Sequence, residues 1–152
     1  MDPELSVRYI QNSLRVDSPE MKMIQDCARD HGIVVALGFS ENDNHSLYIS
    51  QALIDAQGEI LYTRRKFKPT HVERTTFGDA NGNCLANVAD TEFGRVGSLA
   101  CWEHLQPLLK FHTLSQREEF HVAAWPPLDP YQGDGLWSLS REGDFLMPIG
   151  PG

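Results

Sequence analysis

Cys101 closes an apolar run, Val96-Gly97-Ser98-Leu99-Ala100, and Trp102-Glu103-His104 follows it directly. That order predicts a strand that hands a cysteine to a turn, with the polar first turn of a helix behind it. A thiol so placed sees the positive end of a helix dipole, which lowers its pKa and favours the thiolate, the form that attacks carbon. Upstream stands a cationic cluster, Arg64-Arg65-Lys66-Phe67-Lys68-Pro69-Thr70-His71-Val72-Glu73-Arg74. A cation fixed beside a thiolate stabilises charge developing on a substrate. The two segments together point to an enzyme with a cysteine nucleophile, and Cys101 is expected to react ahead of Cys27 and Cys84.

Each of these residues also has a plain structural reading. A single buried cysteine usually behaves as a small core residue, and a run of Arg and Lys is ordinarily a solvated strand end. Cys27 falls on the apolar side of a predicted helix and reads as core; Cys84, where a loop becomes a strand, reads as structural. Glu103 suits the first turn of a helix whatever its chemistry. His104 could complete a Cys-x-x-His pair with Cys101, but no second ligand pair stands at zinc spacing, so a metal is rejected. His71 and His121 read as packed or hydrogen-bonded side chains.

The elements that must position these residues are legible along the chain. Ser18-Pro19-Glu20 opens a helix with a cap, a first-turn proline and an acid at the positive end; Met21, Ile24, Cys27 and Ala28 keep helical spacing, and Gly32 stops it. Ile33 to Phe39 is continuously apolar, as expected of a strand buried on both faces. Leu47 to Asp55 and Glu59 to Arg65 form a hairpin around Ala56-Gln57-Gly58. Pro69 to Asn83 reads as a long functional loop. A second hairpin turns at Thr91-Glu92-Phe93-Gly94 and leads into the Cys101 strand. Leu108 to Phe120 reads as a helix and His121 to Trp125 as a further strand; beyond Pro126 the pattern is lost. Helices alternating with strands and hairpins give an α/β class with a mixed sheet.

Composition narrows the function classes. The 152 residues suffice for one domain with a real core. A formal charge of −8 argues against sequence-independent nucleic-acid binding. No apolar run approaches the roughly 20 residues needed to span a bilayer, and Met1-Asp2-Pro3-Glu4-Leu5 has no signal-peptide character. Three cysteines without paired spacing fit a reducing compartment, so a cytoplasmic protein is expected.

Arg65-Lys66-Phe67-Lys68-Pro69-Thr70-His71-Val72-Glu73-Arg74, taken with Cys101-Trp102-Glu103-His104, resembles the lysine and cysteine motifs of nitrilases. The likeness runs through Asn12-Ser13-Leu14-Arg15-Val16-Asp17-Ser18-Pro19-Glu20-Met21 and His121-Val122-Ala123-Ala124-Trp125-Pro126. It covers roughly Tyr9 to Gly143 and is closest to fungal and bacterial nitrilases acting on aromatic or arylaliphatic nitriles. The resemblance implies a partial αββα sandwich over residues 1–143, with 144–152 as an unmatched tail. It further implies a homo-oligomer without metal or organic cofactor, and a nitrile substrate.

By the same resemblance Cys101 is the nucleophile, Lys66 the catalytic lysine and Glu73 a supporting glutamate, with Trp102, Glu103 and His104 as substrate contacts. The family's general-base glutamate belongs to a Phe-Pro-Glu segment that this sequence does not contain. The expectation is therefore the middle portion of a nitrilase, impaired in turnover unless Glu41, Glu73 or Glu103 serves as base. Two other readings follow: a cyanide hydratase, in which Asn tends to replace His104, and a non-catalytic fragment that associates with intact nitrilase subunits.

Overall fold

The computed structural model describes residues 2–125. The expected loss of pattern beyond Pro126 and the boundary between 143 and 144 lie outside them. Among the described residues nine helices and strands follow in order: α1 (Pro3–Gln11), α2 (Pro19–His31), β1 (Val35–Asp43), β2 (Ser46–Ile54), β3 (Ile60–Arg65), β4 (Val88–Thr91), β5 (Gly94–Ala100), α3 (Pro107–Ser115) and β6 (Phe120–Ala124). Short 3-10 turns occupy His71–Thr75, Gly82–Leu85 and Cys101–Leu105.

Local chemistry explains the ends of α2. The Ser18 side chain accepts from the Met21 N–H, Pro19 opens the first turn, and Gly32 ends the helix at φ 60°. The same grammar builds α1, which sequence reading passed over: the Asp2 side chain accepts from the Glu4 N–H ahead of Pro3.

Strands β1, β2 and β3 form one antiparallel sheet in that order. Strands β4, β5 and β6 form a second, antiparallel between β4 and β5 and parallel between β5 and β6. Side chains tie the sheets face to face: Tyr62 of β3 meets the Ser98 hydroxyl of β5 at 2.9 Å, and Arg64 of β3 reaches Glu103 just past β5. Helix α2 covers the outer face of the first sheet, where Met21, Ala28 and Ile54 are fully buried and Leu14, Ile24, Val35, Leu37, Phe39 and Ile60 pack around them. Helix α3 lies on the second sheet, its buried Thr113 hydroxyl accepting from Asn87 Nδ2, which also donates to the Ser98 carbonyl. The layers run helix, sheet, sheet, helix: a partial αββα sandwich.

Three sequence expectations need correcting. The Ile33–Phe39 run is not buried on both faces: Ile33 is 45% exposed and precedes the strand, and Ala36 and Gly38 are exposed within it. Only the Val35, Leu37 and Phe39 side of β1 is packed, against α2, while its Ala36 and Gly38 side is open. Cys27 is exposed rather than core, because the buried stripe of α2 runs through Met21, Ile24 and Ala28. Helix α3 ends at Ser115, and Phe120 already belongs to β6.

Candidate active site

Lys66 follows the last residue of β3, and its backbone N–H donates to the Ile49 carbonyl at 2.6 Å, extending the β2–β3 pairing by one residue. The side chain is buried, 1% exposed, and its ammonium donates to Glu73 Oε2 at 2.6 Å and to the Thr70 hydroxyl at 3.1 Å. Glu73 sits in the His71–Thr75 turn, and the same oxygen accepts the Thr70 N–H at 2.6 Å. Burial alone would raise the Glu73 carboxyl; the Lys66 ammonium and the Thr70 donors outweigh it and hold it below the usual carboxylate range.

Cys101 follows the last residue of β5 and starts the 3-10 turn Cys101–Leu105 with φ 50°. A non-glycine residue in that region carries strain of roughly 1–2 kcal/mol, and a strand-to-turn elbow of this kind projects a nucleophile outward. The helix dipole expected behind the thiol is missing, since one short 3-10 turn follows and α3 begins only at Pro107. Burial pushes the Cys101 thiol up, and the Lys66 ammonium offsets only part of that rise. The expected lowering of the thiol pKa is thereby reversed in this chain.

One cavity of about 300 Å³ collects Lys66, Glu73 and Cys101 on its wall. Tyr9, Phe77 and Trp125 supply aromatic residues to the same cavity. Glu73 is the carboxylate among its described lining residues. Glu41 is held elsewhere, by two hydrogen bonds from the Arg65 guanidinium and one from the Ser50 hydroxyl.

Trp102, Glu103 and His104, expected as substrate contacts, do not line this cavity among the described residues. Trp102 turns to a separate cavity of about 500 Å³, between Phe67, Leu85, Leu108 and Leu109. Glu103 is 4% exposed, and its carboxylate is taken up by Arg64 and two backbone N–H groups. His104 is buried, with Nδ1 donating to the Cys101 carbonyl at 2.7 Å, Nε2 facing His121 Nε2 at 3.0 Å, and its ring stacked on Trp125. Burial lowers its pKa. Glu103 and His104 bond the backbone of the Cys101 turn, at the Ala100 N–H and the Cys101 carbonyl, while Trp102 packs edge-on to His71. No cluster of three or more metal-ligating side chains exists among the described residues, and no described helix is long and apolar enough to cross a membrane.

The family model described as carbon-nitrogen hydrolase matches residues 3–142. The chain belongs to the carbon-nitrogen hydrolase family. The arylacetonitrilase of Hypocrea virens is 64% identical over 144 residues, covering 94% of this chain and 44% of the relative. The arylacetonitrilase of Aspergillus oryzae is 58% identical over 150 residues, covering 97% of this chain and 45% of the relative. The chain thus spans less than half the length of these curated relatives. Among solved structures, a carbon-nitrogen hydrolase from Helicobacter pylori G27 superposes with TM-score 0.66 at 14% identity, covering 84% of this chain and 44% of that one. An amidase from Nesterenkonia sp. superposes with TM-score 0.60 at 15% identity, covering 73% and 42%. At such identities the likeness shows the fold alone, a partial αββα sandwich.

Sequence reasoning missed the structural role of Arg64 in this member of the family. Its side chain is 1% exposed, while its neighbour Arg65 turns outward over the Tyr48 ring, 3.7 Å from the centroid. The signal was the period-two alternation of β3, which sends Arg64 and Arg65 to opposite faces.

Proposed function

We propose that this chain supplies the nucleophile, lysine and supporting glutamate of a nitrile hydrolase that converts an arylaliphatic nitrile to a carboxylic acid and ammonia. The observation that carries the reading is the convergence of Cys101, Lys66 and Glu73 on one cavity with aromatic walls. The arylacetonitrilases support it through their identity over nearly the whole chain.

Cys101 Sγ attacks the nitrile carbon, one C–N π bond breaks, and the thiol proton ends on nitrogen, giving a thioimidate. Water adds to that carbon, the C–N bond breaks and ammonia leaves, giving a thioester. A second water displaces Cys101 and releases the acid; two waters are consumed per nitrile. Lys66 stabilises negative charge on the former nitrile nitrogen, then on the carbonyl oxygen. Glu73, ionised by its depressed pKa, holds the Lys66 ammonium in place. The proton transfers need a general base, and Glu73 is the carboxylate among the cavity's described lining residues.

Self-association belongs to the same reading, because α3 exposes Leu108 at 85%, Phe111 at 71% and Leu114 at 50%. So does a cytoplasmic location, which suits the free thiols of Cys27, Cys84 and Cys101.

The test is residue-resolved mass spectrometry of the chain incubated with phenylacetonitrile, alongside an ammonia assay. The expected result is a nitrile adduct on Cys101 that Cys101→Ala abolishes. An adduct confined to Cys27 or Cys84, neither adduct nor ammonia, or ammonia release that survives Cys101→Ala overturns the proposal.

A further inference from the structure

Lys66 and Cys101 reach their shared cavity from different sheets. β3 ends one residue before Lys66, β5 ends one residue before Cys101, and no backbone ladder joins those two strands. Something across the interface must therefore set the ammonium against the thiol. The Glu103 carboxylate spans that gap. Its Oε1 accepts the Phe67 N–H at 2.7 Å, the amide directly after Lys66. Its Oε2 accepts the Ala100 N–H at 2.7 Å, the amide directly before Cys101. Arg64 completes the arrangement as a fork, with Nη2 to Oε1 at 2.6 Å and Nη1 to Oε2 at 2.8 Å. Nη1 also donates to Gln51 Oε1 at 2.6 Å, which ties the fork to β2.

These four bonds take up the acceptor capacity of a carboxylate, and Glu103 is 4% exposed, so no lone pair is left for a substrate. A helix-capping role does not account for the pattern either, since the Phe67 amide lies 36 residues away on another element. Charge-assisted bonds to a planar fork are short and directional, which suits a part that fixes geometry.

We propose that Glu103 is the positioning residue of this site: one buried carboxylate, oriented by Arg64, clasps the backbone beside Lys66 to the backbone beside Cys101. The inference rests on the reading of Cys101 as nucleophile and Lys66 as its cation. It goes beyond that reading by naming what holds the two together.

The test reads Cys101 alkylation by iodoacetamide against pH, residue by residue, in the full chain. A positioning role and a purely electrostatic one have opposite signs. Removing a negative charge near the thiol eases its ionisation, whereas letting Lys66 drift away hinders it. In Glu103→Gln the amide NH₂ faces donors, so one side of the clasp opens. The expected result is about a tenfold slower alkylation of Cys101 at neutral pH, equivalent to one unit in thiol ionisation. The effect should vanish when Glu103→Gln is made in a Lys66→Met background, because Glu103 acts through Lys66. Unchanged or faster alkylation, or an equal effect in both backgrounds, overturns the proposal.

If Glu103→Gln does not fold, hydrogen exchange on the unaltered chain decides. The Phe67 and Ala100 amides should then exchange slowly and together, and a Phe67 amide exchanging as fast as an open loop overturns the clasp. Neither readout involves a nitrile. Failure of nitrile chemistry at Cys101 would therefore count against the proposed function and leave this measurement intact.

Discussion

Lys66 and Glu73 are bound to each other by a 2.6 Å contact in which the lysine is 1% exposed and the glutamate 31%. The asymmetry matters. The ammonium has lost nearly all its water and depends on Glu73 Oε2 and the Thr70 hydroxyl, while the carboxylate keeps some solvent of its own. Removing the glutamate strands a buried cation.

Glu73→Ala should accordingly lower stability by about 1–3 kcal/mol, the usual cost of an unsatisfied buried donor, read as a shift of the urea midpoint. Acid should act in the same direction. The Glu73 carboxyl is held below its ordinary value, so the native state binds fewer protons than the unfolded chain. Its contribution is complete above the ordinary carboxylate range and is lost as pH falls through the depressed value. A melting profile for Glu73→Gln as acid-sensitive as that of the unaltered chain would contradict this.

The Arg64–Glu103 pair allows a sharper stability test. Breaking one partner of a buried pair costs about 3–5 kcal/mol, and apolar replacement of both often recovers the loss. Here recovery should fail. Arg64→Met with Glu103→Leu still leaves the Phe67 and Ala100 N–H groups without their acceptor. Urea midpoints for the two single variants and the double variant check it, and a double variant as stable as the starting chain would refute it.

His104 gives the chain a second acid sensitivity at milder pH. Burial lowers its pKa, so the unfolded chain takes up the proton first as pH falls. The neutral ring's contribution is therefore full above the ordinary imidazole range, about 6.5, and declines as pH drops below it. The melting temperature should fall between neutrality and pH of about 5.5, and His104→Asn should flatten that part of the profile.

Thiol reactivity should follow exposure before chemistry. Cys27 is exposed, whereas burial pushes the Cys101 thiol up. Iodoacetamide at neutral pH should therefore modify Cys27 first, with Cys101 gaining ground only as pH rises beyond the range of a free thiol. This reverses the order expected from the sequence. Peptide mapping at short reaction times decides it.

The difference between those two orders shows what kind of information the chain displays openly. Ser18, Pro19 and Gly32 mark α2 because capping is settled within a few residues. Ala56-Gln57-Gly58 and Thr91 to Gly94 mark their hairpins for the same reason. The Asn44-His45 turn between β1 and β2 was open to the same reading, since both residues adopt positive φ. That Cys101 and Lys66 would share one cavity was legible through the motifs around them. The function of Glu103 was not, because its four partners come from Arg64, Phe67 and Ala100, and the first two lie in a segment distant in sequence. The thiol's raised pKa was hidden for a similar reason: it depends on how short the Cys101–Leu105 turn is and on what buries it.

The left-handed backbone at Cys101 also bears on how freely this position could change over time. Serine or alanine there would inherit the same strain, and glycine alone would shed about 1 kcal/mol of it. A lineage released from the demand for a nucleophile would thus find glycine the downhill replacement.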